Sequence, residues 1–141
     1  MGKLYQKDFI KSFMEEKTLS EMCVLSTLPK TWIFDLDGTI LKHNGYKLDG
    51  MDSVLPGVGE YFRTIPEEDK IIILTSRTDE YKQLTLDFLN VNNIRYDEIL
   101  FNMPMGERIL VNDNKPSGLE MAIAINLERD QFTLPMVVRE K

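Results

Sequence analysis

Trp32-Ile33-Phe34-Asp35-Leu36-Asp37-Gly38-Thr39-Ile40 is the stretch from which the fold of this chain is read. Three bulky residues of strand type lead into two carboxylates spaced one apart, and a glycine and a hydroxyl residue follow at once. In a parallel sheet covered on both faces, strands read as near-continuous apolar runs, and ligands sit beyond their carboxyl ends. The pattern therefore puts a site at Asp35 and Asp37. Alternation along the strand sets both on one side, and Gly38 lets the backbone turn away sharply. Two like charges this close repel unless a cation or a proton separates them. That leaves two readings, a divalent metal or a divided acid and base role.

Outward from this stretch, Lys70-Ile71-Ile72-Ile73-Leu74 is a second buried-strand run, and it too ends in polar residues, Thr75-Ser76-Arg77. Between the two, residues 41–53 are polar, with Gly45 and Gly50, and read as a loop or small hairpin. Leu55, Val58, Phe62 and Ile65 then recur at helical spacing, with Pro56 in the first turn and Pro66 past the end, so a covering helix is expected. Asp79 caps a predicted helix running to about Asn93, with Tyr81, Leu84, Phe88 and Val91 as its inward stripe. Tyr96–Phe101 is a third strand candidate. Arg108–Val111 is a stronger one that ends in Asn112-Asp113-Asn114-Lys115, and Ala122–Leu127 is a last one. This order predicts an α/β fold in three Rossmann-like layers, a central parallel sheet flanked by helices.

The 141 residues, 43% of them hydrophobic, suffice for one domain with a real core. A net charge of -6 opposes a broad polyanion-binding face, so no nucleic-acid partner is expected. One cysteine, Cys23, and one histidine, His43, exclude an intrachain disulfide and a Cys/His zinc site. Any metal must take oxygen ligands. There is no apolar run of about 18 residues, and Asp8, Glu15 and Glu16 interrupt the start of the chain, so neither a membrane span nor a signal peptide is read and a cytoplasmic protein is expected. Phe9, Ile10, Phe13 and Met14 among charges suggest an N-terminal helical appendage over residues 1–29, broken by Leu28-Pro29, ahead of a domain at 30–141.

Three strand-type runs end in Asp35/Asp37, Thr75/Ser76 and Asp113, and a parallel sheet sets such ends along one edge. Carboxylates at 35 and 113, with a main-chain carbonyl near 37, make a hard-oxygen site suited to Mg²⁺ and a phosphate. Asp35 could then attack phosphorus, and Asp37 could protonate the leaving oxygen and later activate water. Thr75 would hold phosphoryl oxygens, with Gly38, Thr39, Ser76 and Arg77 bordering the substrate. Arg77 also reads as a helix-facing arginine, and His43 reads as a surface loop residue.

The segments DLDGT at 35–39, IIILTSR at 71–77 and RILVND at 108–113 resemble the haloacid dehalogenase (HAD) superfamily of phosphohydrolases, in the right order over roughly residues 30–127. The resemblance implies that Asp35 is the nucleophile and a Mg²⁺ ligand. It makes Asp37 the acid/base, binding metal through its main-chain carbonyl, Thr75 the phosphate binder and Asp113 the last metal ligand. An aspartate at position 37 is the phosphatase-type choice within the family. Relatives also carry a lysine or arginine in a third motif, and Phe101–Gly106 has none. Arg108 and Lys115 are the substitutes, and Lys115 is preferred because it follows the strand end beside Asp113. Asn112 stands where many relatives supply a second acid.

The intervals between the motifs leave no room for a large cap domain. An open site of this kind implies a large substrate, or a lid from another copy of the chain or a partner protein. HNGY at 43–46, GERILVNDNKPSG at 106–118 and AINLERD at 124–130 are similar to small phosphatase-like domains found alongside sugar-nucleotide and capsule biosynthesis enzymes. That similarity implies a small phosphorylated metabolite, a sugar or nucleotide-sugar phosphate. The expected activity is Mg²⁺-dependent phosphomonoester hydrolysis. The alternative is a phosphate-binding or regulatory module that keeps the site without turnover. A receiver domain fits less well, since it phosphorylates an aspartate after a middle strand.

Overall fold

The computed structural model describes residues 22–134 and 136–140, and the chain divides into two units. The first comprises Met1–Pro29 and Thr133–Lys141, the second Lys30–Phe132. In the first, β1 (Met22–Ser26) pairs in parallel with β5 (Met136–Glu140), Met22 opposite Met136 and Ser26 opposite Glu140. Parallel neighbours need a long connection, and here the whole second unit lies between them in sequence. The helix expected around Phe9–Met14 lies outside the described residues.

The second unit is an α/β body. Its strands β2 (Thr31–Asp35), β3 (Lys70–Leu74) and β4 (Glu98–Leu100) form a parallel sheet in that order. Between them run α1 (Gly45–Leu48), α2 (Val58–Thr64), a 3₁₀ turn at Asp79–Tyr81 and α3 (Lys82–Val91). The apolar spacing read around α2 is realised: Leu55, Val58, Phe62 and Ile65 are all buried. Phe62 packs on Phe34 of β2 with ring centroids 4.7 Å apart, and Trp32, two residues earlier on the same strand face, stacks on Phe34 at 6.0 Å. Aromatic pairs at such offsets add to what their burial contributes, so this cluster fixes α2 on the sheet. On β3, Ile71 and Ile73 are fully buried.

The start of the sheet is tied by side chains whose work is structural. Buried Asp69 accepts the Lys30 N–H at 3.0 Å and the Trp32 Nε1–H at 2.9 Å, joining the entries of β2 and β3. Asp97 accepts the Ile71 N–H at 2.8 Å, and Arg95 donates to the carbonyl of Pro66 at 3.0 Å. These groups cap strand ends where backbone donors and acceptors would otherwise lack partners.

Two sequence expectations are corrected. The inward face of α3 is Thr85 and Leu89, both buried, while Leu84 and Val91 of the expected stripe are exposed. The real helix begins at Lys82 after a 3₁₀ turn, which winds more tightly and rotates the stripe. The runs Arg108–Val111 and Ala122–Leu127 form no strand. A strand exists only where a neighbour accepts its backbone hydrogen bonds, and the stretch between them closes on itself, the Lys115 N–H donating to Leu119 O at 3.0 Å and the Gly118 N–H to Lys115 O at 2.8 Å. Ile109 and Val111 are each 85% exposed. Among the described residues, no helix is long and apolar enough to cross a membrane.

Candidate active site

Sheet register decides which side chains meet. Asp35, the last residue of β2, stands opposite Leu74, and Leu74 stands opposite Leu100, so the segments starting at Leu36, Thr75 and Phe101 leave from adjacent positions along one edge. The opening motif turns at once. The N–H groups of Ile40 and Leu41 both donate to Leu36 O, at 2.9 and 3.0 Å, and the Gly38 N–H donates to Leu41 O at 2.7 Å. Gly38 has φ +89°, which an L side chain rarely adopts, and a Cβ there would meet Arg129 Cγ at 3.3 Å. The turn therefore favours glycine, while the exposed Arg129 side chain would have only to shift slightly to admit a Cβ.

Within that turn Thr39 Oγ1 donates to Asp35 Oδ2 at 3.1 Å, and Arg108 Nη1 stands 3.7 Å from Asp35 Oδ1. Burial pushes the Asp35 carboxyl above the usual carboxylate range, aided by the charge of Asp37, while Thr39, Arg108 and the Leu36 N–H pull it back. The side chain is still 43% exposed, so a ligand can reach it.

Asp37 faces a different group. Arg77 Nη2 donates to Asp37 Oδ1 at 2.8 Å and Nε donates to Oδ2 at 3.0 Å, a two-point fork on one carboxylate. The same guanidinium donates to both oxygens of Asp52, at 2.7 and 3.1 Å, and to Thr85 Oγ1 at 2.8 Å. It lies over the Tyr46 ring, 4.0 Å from the centroid. Burial works against the cation, but its hydrogen bonds to Asp37 and Asp52 and their charges outweigh this and push its pKa up. Arg77, expected to border substrate or face a helix, thus spends its donors within the chain.

Thr75 is buried, and its Oγ1 accepts the Arg77 N–H at 3.1 Å, so its hydroxyl orders the loop that carries Arg77. The Met103 N–H donates to Thr75 O at 3.0 Å and the Asn102 N–H to Arg77 O at 2.8 Å, anchoring the exit from β4 on the same loop. Ser76 Oγ donates to Pro104 O at 3.4 Å.

Of the two candidate cations, Arg108 stands beside Asp35, whereas Lys115 is exposed in the Lys115–Gly118 turn. Asp113 is also exposed, its main-chain carbonyl accepting the Asn112 side chain at 3.2 Å. Among the described residues no group of three or more His, Cys, Asp or Glu side chains is gathered to hold a metal. The side chains of Asp35, Asp37 and Asp113 form no such group. The part that fits Mg²⁺ is the accessible Asp35 carboxylate, since this ion keeps several waters and takes one or two carboxylates plus a phosphate.

The sequence reading missed three residues around this edge. Asp52 and Tyr46 hold Arg77. Asp130 donates its N–H to Gly38 O at 2.8 Å and accepts the His43 N–H at 2.7 Å, locking the opening turn. His43 is partly buried, and its Nδ1 lacks a hydrogen-bond partner among the described residues. No local pattern announces such roles, because each partner is distant in sequence.

No family model and no curated protein matches the chain. Among solved structures, a chain of the Pnkp1/Rnl/Hen1 complex is similar, with 29% identity and a TM-score of 0.46. The match covers 59% of this chain and 31% of that one, so this chain corresponds to less than a third of that chain's length.

Proposed function

We propose that the chain is a HAD-type phosphomonoester hydrolase that works through an aspartyl phosphate on Asp35. Its proposed substrate is a small phosphorylated metabolite, a sugar or nucleotide-sugar phosphate. The observation that carries this reading is an accessible carboxylate at the end of β2, with Arg108 beside it and the Thr75 loop leaving from the adjacent strand.

In the first step an Asp35 oxygen bonds to phosphorus while the bond from phosphorus to the leaving oxygen breaks. That bond's electron pair goes to the leaving oxygen, which takes a proton from Asp37. In the second step water passes a proton to Asp37 and its oxygen attacks phosphorus. The bond to Asp35 then breaks, returning the carboxylate and inorganic phosphate. Mg²⁺ would be held by Asp35 and the main-chain carbonyl of Asp37, and it supplies positive charge against the phosphoryl oxygens. With only α1 and α2 between β2 and β3, a lid would come from a second copy or another protein.

A second reading, a phosphate-binding module without turnover, is favoured by Asp113, which is exposed and belongs to no group of three or more acidic side chains among the described residues. Incubation with p-nitrophenyl phosphate and a panel of sugar phosphates, in Mg²⁺ or EDTA, separates the two. Turnover that needs Mg²⁺ and disappears in Asp35→Asn supports the hydrolase. Metal-dependent phosphate binding with no turnover supports the module and rejects the hydrolase.

A further inference from the structure

We infer that Arg77 and Asp52 are positioning residues for Asp37: Asp52 fixes the guanidinium, and the guanidinium fixes the Asp37 carboxyl toward the leaving group. This rests on the hydrolase reading above. The Arg77 side chain is only 1% exposed, and every N–H of its fork meets an oxygen, on Asp37, Asp52 or Thr85. Such a fork is planar and rigid, so two contacts to one carboxylate set its plane as well as its place.

The two carboxylates it holds differ in setting. Asp52 is 1% exposed and out of a ligand's reach, whereas Asp37 is 18% exposed and stays accessible. One buried acid would have sufficed to neutralise one buried arginine. The second pairing has a different consequence, since it ties the turn that directly follows Asp35 to the loop after β3. Tyr46 of α1 closes one face of the guanidinium, and Thr85 of α3 takes a remaining donor, so two helices brace the same group. Each carboxylate oxygen has two lone pairs, so an Asp37 oxygen that accepts from Arg77 keeps a second position that a proton can occupy.

The role is tested by leaving-group dependence, which loss of fold does not move. An alkyl phosphate needs its leaving oxygen protonated, whereas p-nitrophenolate departs without help. In Asp52→Asn and Arg77→Lys, kcat/KM for an alkyl phosphate should fall at least about tenfold more than for p-nitrophenyl phosphate, the signature also expected of Asp37→Asn. Arg77→Lys keeps the charge and loses the fork, so a wild-type ratio in that variant overturns the inference. So does an equal loss on both esters in Asp52→Asn, the milder variant should Arg77→Lys fold poorly, with the soluble folded fraction checked by circular dichroism. A wild-type protein that hydrolyses neither ester overturns the hydrolase reading, and this inference with it.

Discussion

Thr39 Oγ1 donates to Asp35 Oδ2 at 3.1 Å, so the turn that follows the proposed nucleophile also holds it. Burial raises the Asp35 carboxyl above its ordinary 3.8, and Thr39 is among the groups that pull it back. In the metal-free protein the carboxyl should therefore titrate above 3.8, and Thr39→Val, which removes a lowering interaction, should move that titration further up. Carboxyl-carbon NMR of the metal-free protein checks this, and a titration that moves down in the variant contradicts the assignment.

The same shift has a sign in stability. A raised carboxyl binds its proton more tightly in the folded state, so stability declines as pH rises from 3.8 through the folded value. Asp35→Asn should therefore unfold at higher denaturant than the wild type at neutral pH while losing turnover. Denaturant midpoints at pH 7 check this, and a less stable variant would show that burial is not what raises the carboxyl.

Arg108 stands 3.7 Å from Asp35, and Lys115 is exposed in a turn, so the two cations should differ in effect. Arg108→Ala should lower kcat/KM by about 10²-fold, in the range of a lost electrostatic contact to a developing charge. Lys115→Ala should change it less. A larger effect at Lys115 would restore the expectation drawn from chain position alone.

Asp69 serves the opposite edge of the sheet. Its removal in Asp69→Ala deprives the Lys30 N–H and the Trp32 Nε1–H of their acceptor, at a cost of roughly 3 kcal/mol. Trp32 is the single tryptophan, so its fluorescence reports the lowered guanidinium midpoint. The folded fraction should keep its kcat, because Asp69 lies at the strand entries.

Core and surface substitutions should separate cleanly. Ile73→Ala truncates a fully buried side chain of β3 and should cost about 2–5 kcal/mol, whereas Leu48→Ala on exposed α1 should stay within about 0.5 kcal/mol. Equal midpoints for the two variants would contradict the assignment of Ile73 to the core.

Much of this protein is determined by residues that are neighbours in sequence. Apolar runs at 32–34 and 71–74, helical spacing from Leu55 to Ile65 and the acids after Phe34 dictate a strand, a helix and a strand with chemistry at the strand ends, because periodicity and turn residues act locally. Tertiary structure decides who meets whom. The partners of Arg77, the choice of Arg108 over Lys115 beside Asp35 and the pairing of Met22–Ser26 with Met136–Glu140 depend on register and on loop paths between distant residues. The exposed run Arg108–Val111 makes the same point from the other side. Its composition is that of a strand, but a strand is a property of two segments, and composition describes one.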